Sequence, residues 1–285
     1  MSQAADLIPA LEEELLPASV EAVRHPRFGQ RLRRYLPAIV LFVLGLIVWE
    51  GVVAVFHIEG FLLPRPTVIA ATFIQQLSVI VPAGLFTLWE AVGGFLIGCA
   101  LGVLVATATA RWASMSEGVM PFAIAINSTP IVALAPIMNN WFGITNPLAK
   151  MSIVAVIVFF PVMINTVRGL TQFTAGSLEL MRSYAASEFN VLFKKRIPNA
   201  LPYLFSALKV ASTLSVIAAV VSEYFGGSRD ALGVYISQQA ALFHFAEAWS
   251  AIIIACIMGI AFYVIILLVE RLVMPWHVSL RSVEE

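Results

Sequence analysis

The chain has 285 residues, of which 60% are hydrophobic and only 12% are charged, and its formal net charge is zero. Soluble domains carry roughly 25% charged residues, so a water-soluble globular fold is excluded and a lipid bilayer is the expected solvent. The zero net charge argues against nucleic-acid binding. Two isolated cysteines, Cys99 and Cys256, predict neither a disulfide framework nor a metal site.

The chain begins with a polar tail, residues 1–35, and ends with a short tail, 276–285. A membrane-spanning helix needs roughly 20 mostly apolar residues. The apolar stretches between the tails predict one transmembrane domain over 36–275 and an all-α membrane protein with about six transmembrane helices. The predicted spans are 36–56, 85–110, 118–141, 148–167, 203–222 and 249–273.

Between the first two spans, Pro64 and Pro66 interrupt the chain. The segment that follows them, 67–80, is predicted to form an interfacial helix. In the second span, glycines recur at a spacing that predicts close contacts with another helix. They are Gly93, Gly94, Gly98 and Gly102.

The distribution of basic residues orients the spans, because Lys and Arg are retained on the cytoplasmic side of a membrane. All of the 17 Lys and Arg residues except Arg65, Lys150 and Arg229 lie on one side of the six-span assignment. This asymmetry predicts that both termini are cytoplasmic.

The longest predicted cytoplasmic loop is residues 168–202. Ser177 is typical of a helix N-cap, and small residues at 185–187 favour a tight turn. A second short helix is predicted to close with the basic run 194–196 and to stop at Pro198. Such a hairpin could lie on lipid headgroups as a spacer or dock to a partner protein, and the pattern alone leaves both interpretations open.

Polar side chains inside spans are costly in lipid and are candidates for a translocation pathway. Hydroxyl groups can instead bond to their own helix carbonyls, so the interpretation is stronger for asparagine. No Asp or Glu is predicted deep in a span: Glu90 and Glu270 are expected at the membrane interface, and Lys209 is expected to reach the cytoplasmic surface. The candidate pathway residues are Asn127, Ser128, Thr129, Asn139, Ser212, Thr213 and Ser215.

The long loop resembles the cytoplasmic loop of permease subunits from binding-protein-dependent ABC importers. That family's pattern is Glu-Ala-Ala, three residues, Gly, nine residues, Ile, one residue and Leu-Pro. Glu179 coincides with the Glu, Ala185 with the Gly, and Pro198 with the Pro. If the turn requires a positive φ at residue 185, alanine there costs about 1 kcal/mol. The departures from the pattern are Leu180, Met181, Ala185 and Lys195.

Other segments, from about Leu63 to the last span, are similar to the nitrate/sulfonate/taurine-type branch of this family. Their order and spacing carry the resemblance more than any single segment does. They are 128–136 with Trp141-Phe142-Gly143, Phe159-Phe160-Pro161, Asn165-Thr166 with Gly169, and Glu223 with Phe225-Gly226.

The resemblance implies a type I ABC importer (MetI-like) permease fold and a subunit that forms the translocation pathway for a small solute. It implies a second permease copy, an external solute-binding protein, a bacterial cell membrane, and docking of the 177–197 hairpin on a separate ATPase. ATP and Mg are then bound by that ATPase, and the chain lacks the Gly-Lys dipeptide of a phosphate loop. We expect no enzyme activity, cofactor or metal of its own. The implied coupling residues are Glu179, Arg182, Ala185, Ala186, Ser187, Glu188 and Pro198.

Three alternatives are a gradient-driven secondary transporter, a membrane scaffold protein and an ABC exporter. The first predicts an acidic residue in mid-span, the second does not require the cytoplasmic hairpin, and the third usually has a fused ATPase. For the solute, the lack of a predicted charge in mid-span favours a neutral heterocycle, such as a pyrimidine or riboflavin precursor, over an anion such as nitrate or a sulfonate.

Overall fold

The structure is a computed structural model that describes residues 28–110, 130–172 and 187–275, together with residues 118, 121, 125, 176, 179, 181 and 183–185. The described residues are helical or lie in turns and connections, and none of them is in a strand. Residues 44–277 form one compact unit, within which all contacts reported below lie, and the part of the first helix before Leu44 belongs to a separate unit.

The described helices are numbered in chain order. Five are long, and the short ones lie beside the connections between long ones. They are α1 (Phe28–Val55), α2 (Pro66–Ala110), a 3₁₀ helix (Ile131–Leu134), α3 (Ala135–Phe142), α4 (Pro147–Thr171), α5 (Glu188–Val191), a π-helical segment (Leu192–Arg196), α6 (Ile197–Glu223), α7 (Leu232–Ala241) and α8 (Phe245–Val273).

Five helical stretches in the described part of the chain are long and apolar enough to cross a membrane. They overlap the first, second, fourth, fifth and sixth predicted spans, and the second and fifth begin well before the predicted bounds. The third predicted span, 118–141, lies mostly outside the described residues, and its last part contains the 3₁₀ helix and α3. The five stretches are Leu36–Val55, Pro66–Thr109, Pro147–Thr171, Phe189–Glu223 and Phe245–Val273.

Helix α2 has 45 residues, which corresponds to about 68 Å at 1.5 Å per residue. The segment 67–80 therefore does not form a separate interfacial helix, because Pro66 begins α2 and the helix continues into the span. Proline suits the first helical turn, where its missing N–H would have no helical partner. The Glu50 carboxylate also holds this start, since it accepts hydrogen bonds from the Thr67 N–H at 3.1 Å and the Thr67 hydroxyl at 2.9 Å.

Helix α2 packs closely along α4 at the predicted glycines. A Cβ added at Gly94 would lie 2.6 Å from the Met151 carbonyl oxygen, and one added at Gly98 would lie 2.5 Å from the Ala155 carbonyl oxygen. Only glycine allows the two backbones to approach this closely, so the prediction of helix contacts is confirmed. The glycines that contact α4 are Gly93, Gly94, Gly98 and Gly102.

An apolar core surrounds this contact and joins α2, α4, α6 and α8. Phe95 of α2 meets Phe262 of α8 edge to face, with ring centroids 4.9 Å apart. Val154 and Val158 of α4 and Ala211 of α6 are fully buried in the same cluster. These four helices therefore form the scaffold on which the polar residues of the molecule are positioned.

The chain continues as helix from α5 through the π-helical segment into α6. The prediction that Pro198 stops a short helix is wrong, because Pro198 stands in the first turn of α6. The basic run 194–196 accordingly lies within the π-helical segment instead of ending a helix. The second half of the long loop and the fifth predicted span are thus parts of one helical rod.

Candidate functional site

The two ends of the long loop are fastened to each other. The Asn199 side chain donates hydrogen bonds of 2.8 Å to the carbonyl oxygens of both Gly169 and Gln172. A Cβ added at Gly169 would lie 2.6 Å from the Ala200 Cα, so α4 and α6 cross closely where the loop leaves and re-enters the helices. The loop is therefore presented from a fixed base.

A turn at Ala185 separates the two halves of the loop. Ala185 has a φ of +48°, a left-handed conformation that glycine adopts at lower cost, and the importer pattern carries Gly at this position. Glu179 is helical and exposed, and Ser187 directly precedes α5. The other predicted coupling residues in this half of the loop, Arg182 and Ala186, lie outside the described residues.

Helix α5 begins at Glu188 and presents aromatic side chains. The Ser187 hydroxyl accepts the Asn190 N–H at 3.4 Å, which is an N-cap arrangement. Phe189 is 68% exposed and Phe193 is 52% exposed, and their ring centroids are 4.4 Å apart. Exposed aromatic residues are enriched in protein-binding surfaces, so this aromatic pair is the candidate contact of the loop with a partner.

A second polar feature lies within the helical domain and was not predicted. Glu90 of α2, Lys150 of α4 and Glu223 of α6 are each at most 2% exposed, and the Lys150 ammonium interacts electrostatically with both carboxyl groups. We call these three residues the buried charge cluster. Burying a charge without a partner is costly, so each of these groups depends on the electrostatic attraction of the others, although Lys150 does not form a direct ion pair with either carboxylate.

Glu223 also binds the connection that follows α6. One of its carboxylate oxygens accepts the Thr87 hydroxyl at 3.1 Å and the Gly233 N–H at 2.6 Å. The Thr87 hydroxyl in turn accepts the Leu232 N–H at 2.9 Å. Since Leu232 and Gly233 open α7, the carboxylate lies at the positive end of that helix, and the cluster thereby joins α2, α4, α6 and α7.

Lys150 extends the cluster toward α3. Its ammonium group donates to the Asn139 side-chain oxygen at 2.9 Å and to the Ile144 carbonyl oxygen. The Asn139 amide then donates to the Phe225 carbonyl oxygen at 3.1 Å. A buried cation therefore fixes the orientation of Asn139 and of two backbone segments.

Asn139, Ile144 and Phe225 form part of the wall of a cavity of about 530 Å³. Asn139 is buried, whereas Asn140 and Thr145 are exposed. The lining contributed by the described residues carries amide, hydroxyl and aromatic groups and no charged side chain. It consists of Pro136, Asn139, Asn140, Gly143, Ile144, Thr145 and Phe225.

The prediction that Glu90 is not buried is wrong, since Glu90 is 2% exposed in a span helix, and Glu223, the last residue of α6, is 1% exposed. A signal was present in the sequence. Glu90 is the only charged residue between Arg65 and Arg111, and Lys150 is isolated in the same way. Isolated charges in long apolar stretches indicate burial with a partner.

Glu270 is also buried, at 4% exposed, in the last turn of α8. Lys209 does not reach a surface alone but forms an ion pair with Glu270, with 2.8 Å between the Lys209 Nζ and a carboxylate oxygen. This pair joins α6 to α8. It lies on the same rod that begins at α5.

The predicted pathway residues that the structure describes lie in different surroundings. Asn139 lines the polar cavity. Ser212 and Ser215 are fully buried and donate to carbonyl oxygens of their own helix, and Thr213 does the same and borders an apolar cavity of about 420 Å³ between α6, α7 and α8. The remaining three, Asn127, Ser128 and Thr129, lie outside the described residues.

Residues 94–276 match the profile of the protein family described as "Binding-protein-dependent transport system inner membrane component". The match covers more than half of the chain, and the chain belongs to this family, the permease subunits of ABC importers. The resemblance stated from the loop and the spans is confirmed.

The chain is also similar to individual relatives over nearly their whole length. Identity is 29% with a riboflavin transport system permease protein of Chloroflexus aurantiacus, over 89% of this chain and 96% of that protein. It is 26% with a formylaminopyrimidine transport permease protein of Halalkalibacterium halodurans, over 87% and 98%. It is 26% with a putative aliphatic sulfonates transport permease protein of Bacillus subtilis, over 92% and 94%.

Among solved structures, the chain resembles one described as "Crystal structure of an amino acid ABC transporter with histidines". The TM-score is 0.56 with 18% identity, over 70% of this chain and 95% of that chain. At this identity the likeness concerns the fold alone, and it agrees with the predicted importer permease fold.

The protein is therefore a membrane-embedded, multi-pass permease subunit of an ABC importer. Membership of a binding-protein-dependent family implies an ATPase and a solute-binding protein as partners. The buried Glu90 and Glu223 remove the sequence argument against a gradient-driven transporter, but family membership decides against that alternative and against a scaffold protein.

Proposed function

We propose that this subunit imports a small solute by coupling to a separate ATPase through the segment 177–197, and that two identical copies form the pathway. ATP and Mg are bound by the ATPase, and this chain has no enzyme activity, cofactor or metal of its own. Binding of ATP moves the loops of both copies, and the helices alternate between inward-open and outward-open states.

The observation that carries the proposal is the continuous rod from α5 to α6. A partner that binds the exposed Phe189 and Phe193 contacts the same rod that ends in the buried charge cluster at Glu223. Asn199 fastens the base of the rod to α4. A movement of the loop is therefore transmitted to the membrane helices, because no flexible connection separates the two.

We further propose that both termini are cytoplasmic and that the protein lies in a bacterial plasma membrane. This orientation rests on the Lys and Arg asymmetry. With this orientation, the aromatic pair of Phe189 and Phe193 lies on the ATP-containing side. The proposed organisation is a cytoplasmic tail at 1–35, a permease domain at 36–275 with its coupling loop at 168–202, and a short cytoplasmic tail at 276–285.

In the proposed pathway, Asn139 contacts the solute directly because it borders the polar cavity. Asn127, Ser128 and Thr129 belong to the same predicted span as Asn139, and Thr213 lies on α6. Ser212 and Ser215 contribute to the pathway by packing α6 and not by an open surface. The named relatives transport both neutral heterocycles and anions, so small solutes of either kind are within the range of the family.

Co-purification tests the coupling surface. The tagged chain is extracted gently, and the proteins that accompany it are identified by mass spectrometry. We compare the wild type with Phe189→Glu and Glu179→Lys, and with Phe61→Glu as a matched control, since Phe61 is 56% exposed but lies in the connection between α1 and α2.

We expect the wild type and the Phe61→Glu variant to recover an ATPase with a phosphate loop, and the Phe189→Glu and Glu179→Lys variants to lose it while eluting as folded protein. Full recovery of the ATPase by Phe189→Glu would contradict the proposed docking surface. A folded wild-type chain that never recovers an ATPase would contradict the coupling proposal as a whole.

A further inference from the structure

The polar cavity beside Asn139 combines features expected of a ligand site. Its volume of about 530 Å³ falls within the roughly 300–1,000 Å³ range of small-molecule pockets. Asn140 and Thr145 are exposed and carry free hydrogen-bonding capacity at its rim, and Phe225 supplies an apolar face.

The wall of this cavity is held in place by the buried charge cluster. Lys150 contacts two lining residues, Asn139 and Ile144, and Asn139 contacts a third, Phe225. The Asn139 amide group uses both its oxygen and its nitrogen in these contacts, so its orientation is fixed before any solute arrives. A site fixed in advance loses less conformational freedom on binding.

The charges behind the wall determine which solutes the cavity accepts. A positive charge near a cavity attracts anions, and Lys150 lies one hydrogen bond behind the lining. However, Glu90 and Glu223 both act electrostatically on Lys150, and a buried charge is costly unless a charge of opposite sign compensates it. The cluster as a whole is therefore not positive, and the described lining offers no cation to an anion.

We infer that this cavity binds the transported solute, and that it accepts an uncharged solute with hydrogen-bonding groups and an apolar face while rejecting anions. The inference rests on the proposed import function and specifies its substrate class. Lys150 is a positioning residue, because it acts on the solute through Asn139 and the carbonyl group of Ile144.

Thiol labelling measures the electrostatic preference of the cavity directly. The native cysteines, Cys99 and Cys256, are replaced by alanine, and Asn140→Cys or Thr145→Cys is introduced in the complex purified with its ATPase. Each variant is treated with uncharged, cationic and anionic methanethiosulfonate reagents, and each rate is divided by that of free cysteine to remove intrinsic reactivity.

We expect the uncharged and cationic reagents to react roughly tenfold faster than the anionic one at both positions. An anionic reagent that reacts as fast as the uncharged one would overturn the inferred selectivity, and unreactive cysteines at both positions would overturn the cavity as an open site.

Solute protection then tests binding with two pairs of probes that differ in charge. Uracil is compared with its 6-carboxylate, orotate, and riboflavin with riboflavin 5′-phosphate, each at millimolar concentration. We expect a neutral member of at least one pair to halve the labelling rate, its anionic counterpart to have no effect, and Phe225→Ala to abolish protection. Protection by an anion, or by neither neutral probe, would overturn the inference.

These outcomes are distinguishable from failure of the proposed function. An ATPase that co-purifies through Phe189 while no neutral probe protects the cavity would leave the coupling proposal intact and remove only the solute site. Failure to co-purify an ATPase, with protection of the cavity by a neutral probe intact, would remove the coupling proposal and leave the solute site standing.

Discussion

Helices α2 and α4 are joined in two different ways along one contact. Near Glu90 and Lys150 the two helices are joined by charge, with Glu223 of α6 as the third member. Beyond this point, Gly94 and Gly98 bring the backbones into direct contact, and no polar side chain is needed. The first arrangement depends on partners, and the second depends on the absence of side chains.

The glycine contact and the charge cluster differ in what they can hold in place. A glycine contact has a single optimum distance, so it fixes two helices as a rigid pair. A charge cluster can also fasten groups outside the pair, and this one reaches α7 through Gly233 and the cavity wall through Asn139. We therefore assign stability mainly to the glycine contact, and positioning of the solute cavity to the charge cluster.

The largest expected effect comes from breaking the charge cluster with Lys150→Met. This change leaves Glu90 and Glu223 buried without the cation that attracts them electrostatically, and the loss of such a buried partner costs up to about 3–5 kcal/mol. We expect a matching loss in the free energy of unfolding, measured in detergent.

The exposed Lys194 provides the control for this experiment, since Lys194→Met removes the same charge without unburying or isolating a partner. Equal stability of the two variants would show that the cluster is not a compensated unit.

A smaller effect is expected from the glycine contact. Gly98→Ala places a Cβ 2.5 Å from a backbone oxygen of α4, and overpacking of this kind costs about 1–3 kcal/mol. Gly259→Ala is the control, because a Cβ at Gly259 meets nothing within 4 Å and alanine favours the helix by up to about 1 kcal/mol. The two variants should therefore move the unfolding midpoint in opposite directions, and a shared direction would contradict the packing account.

Sequence reasoning was sufficient for the glycine contact but not for the charge cluster, and the reason is physical. Close-packing glycines lie within one helix, so their spacing is a local pattern. The hydrogen bond between Thr87 and Glu223 joins residues 136 positions apart, and a single chain contains no local sign of that pairing. The isolation of Glu90 in a long uncharged stretch indicated burial, but it did not indicate the partner.

The same limit applies to the rod that carries the coupling loop. Pro198 is typical of a helix end, yet it equally suits the first turn of a helix, and only the π-helical segment before it makes the chain continuous. The turn at Ala185 was predictable, because the family pattern carries Gly where the structure has a positive φ. Five spans were predictable from their apolar length alone.

The Lys209–Glu270 pair tests how the stability cost of losing a charge contact depends on burial, because it is less buried than the charge cluster. The Lys209 side chain is 22% exposed and the Glu270 side chain is 5% exposed, and we expect Lys209→Met to cost about 2 kcal/mol, between the values for exposed and fully buried pairs. Combining Lys209→Met with Glu270→Gln in a double variant should restore part of the stability that the single Lys209→Met change loses. A cost equal to that of Lys150→Met would contradict the dependence on burial.

The smallest effect is expected at the turn of the loop. Ala185→Gly should stabilise the turn by about 1 kcal/mol, because glycine adopts a φ of +48° at lower cost. Hydrogen exchange of the residues around the turn measures this, and slower exchange is expected. Ala241→Gly at the end of α7 is the control of opposite sign, and faster exchange in the Ala185→Gly variant would contradict the account.

The most direct test of the charge cluster as a single unit is a double-mutant cycle on Lys150→Met and Glu223→Gln, measured as free energies of unfolding of the purified subunit. If the cluster acts as one compensated unit, the double variant will be more stable than the sum of the single losses predicts, with a coupling energy of at least about 1 kcal/mol. Additive losses would contradict the claim and would reduce the cluster to three independent buried residues.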